Sequence, residues 1–178
     1  IITKAVVKVP PIPEAREYGF LVFKTLDDGV RFLKRLRHEG AVPASIRLVN
    51  NTEMRFGQAL KPAPSFFHGL LDRAKKFLLI KIKRFDPLKM AGCTIVMEGT
   101  AREVASQRET IFSLGSEFGA MSGGASNGRR GYTLTFGIAY IRDFFNQFHI
   151  MGETFETSVP WSRIHDVIGA VEEELAKQ

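Results

Sequence analysis

The sequence predicts an α+β fold in which an antiparallel, ferredoxin-like sheet carries helices on one face and an inserted helical region. Short runs rich in β-branched and aromatic residues alternate with longer runs whose apolar residues recur every three or four positions. The order along the chain is strand, helix, strand, then strand, helix and a short strand near Ala120. The helical insertion, Thr52–Arg84, separates the two halves. The 178 residues, 44% of them hydrophobic, fit one domain with a real core.

Five segments are predicted as strands, because each is rich in β-branched or aromatic residues and is bounded by turn formers. They are Thr3–Val9, Tyr18–Phe23, Ser45–Val49, Gly92–Glu98 and Phe148–Thr157. The single cysteine, Cys93, lies in the fourth strand and excludes an internal disulfide. Its apolar neighbours favour a buried, unreactive thiol over a nucleophile.

Helices are predicted between these strands. The first runs from Asp27 or Asp28 to about Glu39, where Gly40 stops it. The second covers Thr100–Phe118, in which apolar residues recur at seven-residue intervals. These two helices follow the second and fourth predicted strands, Tyr18–Phe23 and Gly92–Glu98, as a split β-α-β arrangement requires.

The C-terminal third is less regular in its pattern. Gly119–Gly131 is predicted as a flexible loop, either an ordinary connection or a mobile lid, and it matches no phosphate-binding glycine motif. The last helix is predicted to start at Ser158, with Pro160 in its first turn. Glu172–Glu174 stands near the end of that helix, where the macrodipole favours cations. We therefore expect the natural chain to continue past Gln178.

Domain boundaries are predicted from the prolines and from the ends of the chain. Residues 10–13 form a stiff, donor-poor connector that does not suit a central strand. We expect residues 1–13 to be a strand and connector from a preceding domain. Residues 14–178 then form the domain itself, which is incomplete at its C-terminus.

The charge distribution favours anionic partners. The net charge is +6, which suits phosphorylated metabolites, acidic membrane surfaces or nucleic acid. Lys75–Phe85 mixes basic and apolar residues and has three interpretations: a helix on the protein's own core, a membrane-surface helix, or a nucleic-acid contact. No apolar run in the sequence reaches the length of about 18 residues that a membrane span needs.

Two arginines are candidates for a binding site. Arg142 lies among aromatic residues in the segment Gly131–Phe145, and either a helix or a strand would hold its guanidinium beside aromatic walls. A fixed cationic fork in an apolar pocket suits a phosphate or carboxylate. Arg47 lies on the polar face of a predicted strand, either reaching into a site or facing solvent. The four histidines lack metal-ligand spacing, so no metal site is predicted.

Several motifs carry a resemblance to a known family. They are Pro43–Leu48, Phe56–Pro62, Asn127–Tyr132, Ala139–Asp143 and Gly152–Trp161, in this order. Together they closely resemble the alkyldihydroxyacetonephosphate synthases, FAD-dependent ether-lipid enzymes of the vanillyl-alcohol oxidase class. The resemblance covers nearly the whole chain. It implies the fold of an FAD-linked oxidase C-terminal domain.

The resemblance implies an activity and its partners. The family exchanges the acyl chain of acyl-dihydroxyacetonephosphate for a long-chain fatty alcohol, which forms the ether bond of ether lipids. The flavin is thought to form a covalent adduct with the substrate, without net redox change. It further implies a peripheral membrane surface, a homodimer, no nucleic-acid partner, and the lumenal side of the peroxisomal or glycosomal membrane.

The resemblance also implies roles for particular residues. Arg142 matches the arginine assigned to the substrate phosphate, and Arg47 matches an arginine essential for activity, which we predict to be catalytic. Thr154 stands where relatives often carry serine, so a substrate contact is retained with an extra methyl group. Most FAD contacts are expected from a domain before Ile1, and the family's catalytic tyrosine and histidines lie outside this chain. The polypeptide alone is therefore expected to be inactive.

Two alternative functions stay open at this point. The first is the substrate domain of another FAD-linked oxidase or dehydrogenase, acting on a hydroxy acid. The second is a non-enzymatic, ferredoxin-like nucleic-acid-binding module, indicated by charge and fold. Such modules display paired aromatic residues on their sheet with a signature that this sequence lacks.

Overall fold

The computed structural model describes residues 2–9, 11–60, 83–152 and 154–177. They fall into two compact units, Ile1–Phe136 and Gly137–Gln178. The predicted insertion, Thr52–Arg84, begins within a helix. Its residues 61–82, and with them most of Lys75–Phe85, lie outside the described residues.

The first unit is built on an antiparallel sheet. Its strands are β1 (Ala15–Phe23), β2 (Ser45–Val49), β3 (Ala91–Gly99) and β4 (Met121–Ser122). They are ordered β2-β3-β1-β4, with every neighbouring pair antiparallel. This order is that of the ferredoxin-like split β-α-β fold, so the predicted fold class is confirmed.

One face of the sheet carries the main core. Helices α1 (Leu26–His38) and α3 (Ala101–Glu117) pack there against alternate residues of β1 and β3. Phe23 and Phe32 lie at its centre with their rings 5.1 Å apart. Both predicted helices are thus confirmed, and their apolar stripes explain why they cover this face.

The ends of these helices follow the capping rules with one correction. Thr25, and not Asp27 or Asp28, caps α1, because the Asp28 N–H donates to Thr25 Oγ1 at 3.1 Å. The predicted stop is confirmed, since Gly40 has a φ of 72°, which favours glycine. Thr100 begins α3 with a reciprocal capping box to Glu103.

The opposite face of the sheet is also covered. Helix α2 (Asn51–Ala59) brings Met54 to a smaller core cluster with Phe20, Val22 and Phe85. The first part of helix α4 (Ala125–Asn146) crosses the same face. The predicted loop Gly119–Gly131 is therefore wrong from Ala125 onward, where the chain is helical.

The second unit contains the end of α4, a 3₁₀ turn (Trp161–Arg163) and helix α5 (Ile164–Leu175). None of its described residues, 137–152 and 154–177, is buried. The last helix is confirmed, but it begins later than Ser158. Pro160 stands just before the 3₁₀ turn, with no side-chain cap.

Two predicted strands do not form. The residues of Thr3–Val9 are exposed and pair with no strand of the described sheet. Phe148–Thr157 fails because α4 ends there in a turn, with His149 at a φ of 58°. The Ile150 N–H donates to the Phe145 carbonyl and closes that turn. An alternating apolar pattern forms a strand only where a partner edge is available.

Candidate functional site

Arg47 is placed by the alternation of strand β2. Ile46 and Leu48 pack against the main core, so Arg47 points to the other face of the sheet. There it lies opposite Thr94 of β3, which is its Cα partner in the register. The sequence therefore predicts its face correctly. What it cannot show is which element covers that face.

That element is the first part of α4, which approaches the sheet very closely. A Cβ atom at Gly128 would collide with the backbone of Gly19 in β1, and one at Gly131 would collide with Thr94 Cγ2. Glycine at these two positions allows the helix to sit directly on the strands. Gly128 is accordingly buried.

Side chains one turn further along α4 complete the contact. Arg47 Nη1 donates a hydrogen bond to Thr135 Oγ1 at 2.8 Å. The ring of Tyr132 lies 5.9 Å from that of Tyr18 in β1 and 5.4 Å from that of Phe136. Sequence reasoning missed Thr135 and Tyr132. The signal was the spacing of 128, 131, 132 and 135, which share one face of a helix.

Charged side chains lie near the contact between α4 and the sheet. Arg16 of β1 forms an ion pair with its cross-strand partner Glu98, with 2.5 Å between Nε and Oε1. The hydrogen bond to Glu98, and a second one with Tyr18, raise the pKa of Arg16 above its ordinary value. The tyrosine that contacts α4 is thus also tied to a permanent cation.

Cys93 has the environment that its sequence context predicts. It is fully buried in the main core as a free thiol. Burial raises its pKa to about 12, because the thiolate would lose its hydration there. The neutral thiol is therefore the favoured form at physiological pH, as expected for an unreactive cysteine of the core.

Arg142 lies in the part of α4 that belongs to the second unit. The helical alternative for its segment is the one that forms. The expected enclosure is not found among the described residues, because its side chain is 60% exposed. Its Nε lies 3.8 Å from Asp143 Oδ1. Neighbours in sequence such as Tyr140 and Phe144 are themselves exposed.

Thr154 is also exposed, in a stretch of the second unit without helix or strand. The assigned roles of Arg47, Arg142 and Thr154 remain predictions.

Gly123, in the glycine-rich segment before α4, is hydrogen-bonded within the fold. Its N–H donates to the Phe20 carbonyl at 2.7 Å, and its carbonyl accepts from Asn127 Nδ2 at 2.7 Å. The Gly123 N–H is therefore not free to hold an anion. Among the described residues, no three histidines, cysteines or acidic residues cluster as metal ligands. None of the described helices is long and apolar enough to cross a membrane.

A family model matches nearly all of the chain. Residues 12–178 match the family described as FAD linked oxidases, C-terminal domain. The chain belongs to this family. The fold that the sequence motifs imply is therefore confirmed, and membership of the family points to a FAD-dependent enzyme.

Curated relatives of this FAD-linked oxidase domain share one name. The chain is 35% identical to alkyldihydroxyacetonephosphate synthase of Caenorhabditis elegans over 179 aligned positions, 100% of this chain and 30% of that protein. It is 28% identical to the enzyme of the same name from Dictyostelium discoideum, over 92% of this chain and 27% of the relative. The resemblance carried by the motifs is thus confirmed. The chain spans less than a third of the length of these relatives.

Solved structures agree on the fold. One structure of alkyldihydroxyacetonephosphate synthase superimposes with a TM-score of 0.78 at 24% identity, over 94% of this chain and 32% of that one. A second structure of the same enzyme gives a TM-score of 0.63 at 26% identity, over 75% of this chain and 24% of that one. The fold is therefore one that these solved structures also contain.

Proposed function

We propose that this chain is the substrate-side domain of an alkyldihydroxyacetonephosphate synthase. The observation that carries the proposal is its similarity, over its whole length, to a protein of that name. In the proposed reaction the fatty acid leaves acyl-dihydroxyacetonephosphate and the oxygen of a long-chain alcohol is bonded in its place. The exchange involves no net oxidation.

Arg142 is proposed to bind the substrate phosphate. Its guanidinium is accessible on α4 and presents five N–H donors in a planar fork that matches a phosphate. Phe144 and Phe148, whose rings lie 5.1 Å apart, expose apolar surface in the same unit. A phosphate group with a long alkyl tail has this combination of chemistries.

Arg47 and Thr154 are each proposed to serve the same reaction. Arg47 already has one donor engaged with Thr135, which leaves the other guanidinium N–H groups for further contacts. Thr154 offers an exposed hydroxyl that can donate or accept a hydrogen bond. Its methyl group would narrow the space available beside it.

FAD is proposed to be bound mainly by residues outside this chain. In the described glycine-rich segment, the Gly123 N–H donates to the Phe20 carbonyl, which leaves it unavailable for a phosphate. We therefore expect the purified 178-residue chain to be colourless and to leave flavin fluorescence unchanged on titration. A yellow protein with stoichiometric FAD would contradict this assignment.

The cellular setting is proposed from the family resemblance. A protein that handles lipid substrates would dock on a membrane surface, at the lumenal side of a peroxisome or glycosome, as a homodimer. The net charge of +6 is compatible with an acidic lipid surface.

The experiment that tests the function uses the full-length protein with FAD. It is incubated with acyl-dihydroxyacetonephosphate and an isotopically labelled long-chain alcohol. We expect labelled ether product that keeps its phosphate, together with one fatty acid released for each ether formed. If the flavin is instead reduced by a hydroxy acid and no ether appears, the protein is another FAD-linked oxidase.

A further inference from the structure

We propose that Arg47 is a positioning residue, which acts by holding helix α4 on the sheet through Thr135. The proposal rests on the function proposed above, because α4 is the helix that carries Arg142. It assigns Thr135 a functional role and changes the interpretation of Arg47. The arginine then supports the substrate-binding helix and does not itself contact the reacting atoms.

The first argument is the geometry of the contact. Arg47 and Thr94 are cross-strand partners, and Thr94 lies directly under Gly131 of α4. Thr135 is one helical turn beyond Gly131, on the same face of the helix. The long side chain of Arg47 spans from the edge strand to that position, where Nη1 meets Thr135 Oγ1 at 2.8 Å.

The second argument is that α4 needs such a contact. Gly128 and Gly131 allow α4 to approach the strands closely, but glycine has no side chain that could hold the helix there. Glycine also lowers helix propensity, so tertiary contacts must hold this part of the helix. Tyr132 supplies an aromatic contact to Tyr18, and Arg47 supplies the charge-assisted hydrogen bond at the next turn.

The chain offers matched variants for a test. Thr135→Val deletes the acceptor at nearly constant volume, Thr135→Ala is a second deletion, and Thr135→Ser keeps the hydroxyl. Thr133→Val is the control, because Thr133 is an exposed threonine of the same helix that donates to the Arg129 carbonyl. It makes the same change in helix propensity away from the sheet.

The first measurement is amide hydrogen exchange on the full-length, FAD-loaded enzyme. We expect exchange in residues 128–136 to be about three- to tenfold faster in Thr135→Val, Thr135→Ala and Arg47→Met, as for loss of one solvent-exposed hydrogen bond. Thr135→Ser and Thr133→Val should exchange like the wild type. Unchanged exchange in both deletion variants would overturn the proposal. This measurement does not depend on which reaction the enzyme catalyses.

The second measurement is a double-mutant cycle in kcat/KM with Arg47→Met and Thr135→Val. If Arg47 acts through Thr135, the double variant should be no more than about twofold worse than the poorer single variant, because coupled residues are non-additive. Full activity in Thr135→Val combined with inactive Arg47→Met would overturn the proposal and leave the proposed function standing. A wild type without synthase activity would refute the function, while hydrogen exchange would still decide whether the Arg47–Thr135 contact holds the helix.

Discussion

The two units of the molecule use similar apolar residues with different results. In the first unit, Phe23, Phe32 and Ile95 have no exposed surface. In the second unit, Tyr140 is 78% exposed and Phe144 is 54% exposed, although both lie on a well-formed helix. The difference shows that apolar residues at helical spacing form a helix but do not by themselves form a core. A core needs a second apolar layer, which the sheet provides in the first unit.

The largest expected effect tests this contrast directly. Phe23→Ala should lower the free energy of unfolding of the chain by about 3–5 kcal/mol, because it opens a cavity beside Phe32. Phe144→Ala, the same change on exposed surface, should lie within about 0.5 kcal/mol of the wild type. Urea denaturation followed by circular dichroism measures both. Equal losses would show that the second unit has a core of its own.

Smaller changes in the free energy of unfolding are expected for alanine at two glycines of α4, and the two changes should have opposite signs. Gly128→Ala should destabilise by about 1–3 kcal/mol, since its methyl group would collide with the backbone of Gly19. Gly137→Ala has open space around it and should stabilise by up to about 1 kcal/mol through helix propensity. Thermal unfolding of the two variants compares them. A stabilised Gly128→Ala would mean that α4 does not sit on the strands as described.

The smallest of these effects concerns the start of α3. Thr100→Ala should cost about 1 kcal/mol by removing the helix cap, whereas Thr100→Ser should keep most of the stability. Denaturation midpoints of the two variants measure this difference. Equal midpoints for the alanine and serine variants would show that the hydroxyl does not stabilise the helix.

The same capping box predicts a pH dependence. Hydrogen bonds from the backbone and side chain of Thr100 lower the pKa of Glu103. Because the folded pKa is the lower one, the contribution of Glu103 is present above its unfolded pKa. It is lost as the pH falls through the lowered value. In Glu103→Gln, stability should therefore fall less steeply on acidification, which denaturation midpoints at neutral and acid pH would measure.

The sequence predicts well those elements that carry their own local signals. β2 forms with the predicted bounds, Ser45–Val49, because alternation and turn formers define it on both sides. The start of α4 was missed because glycines disfavour a helix, while tertiary packing requires them at Gly128 and Gly131. Phe148–Thr157 has strand composition, but strand formation depends on an edge that local sequence does not reveal.

For the two candidate site arginines, too, some features follow from the local sequence and others only from the fold. The face of Arg47 follows from alternation, but its bond to Thr135 joins residues 88 positions apart and depends on topology. The aromatic neighbours of Arg142 in sequence do not enclose it in space, since side chains adjacent along a helix point in different directions. Sequence pattern indicates both arginines as candidates, and their roles stay predictions, whereas their surroundings depend on the fold.

The most direct test of the account is the kinetics of Arg142 variants in the full-length enzyme with acyl-dihydroxyacetonephosphate. Arg142→Lys keeps the charge but loses the planar fork, and Arg142→Ala loses both. We expect kcat/KM to fall about thirtyfold in Arg142→Ala, as for loss of charge-assisted hydrogen bonds to the phosphate, and to be strongly reduced in Arg142→Lys.

The control is Arg163→Lys, because Arg163 is an equally exposed arginine of the same unit that is paired with Asp166. Its kinetics should match the wild type. The account predicts that all three variants keep the wild-type melting temperature, since Arg142 and Arg163 are both exposed. Wild-type affinity and turnover in Arg142→Ala would contradict it.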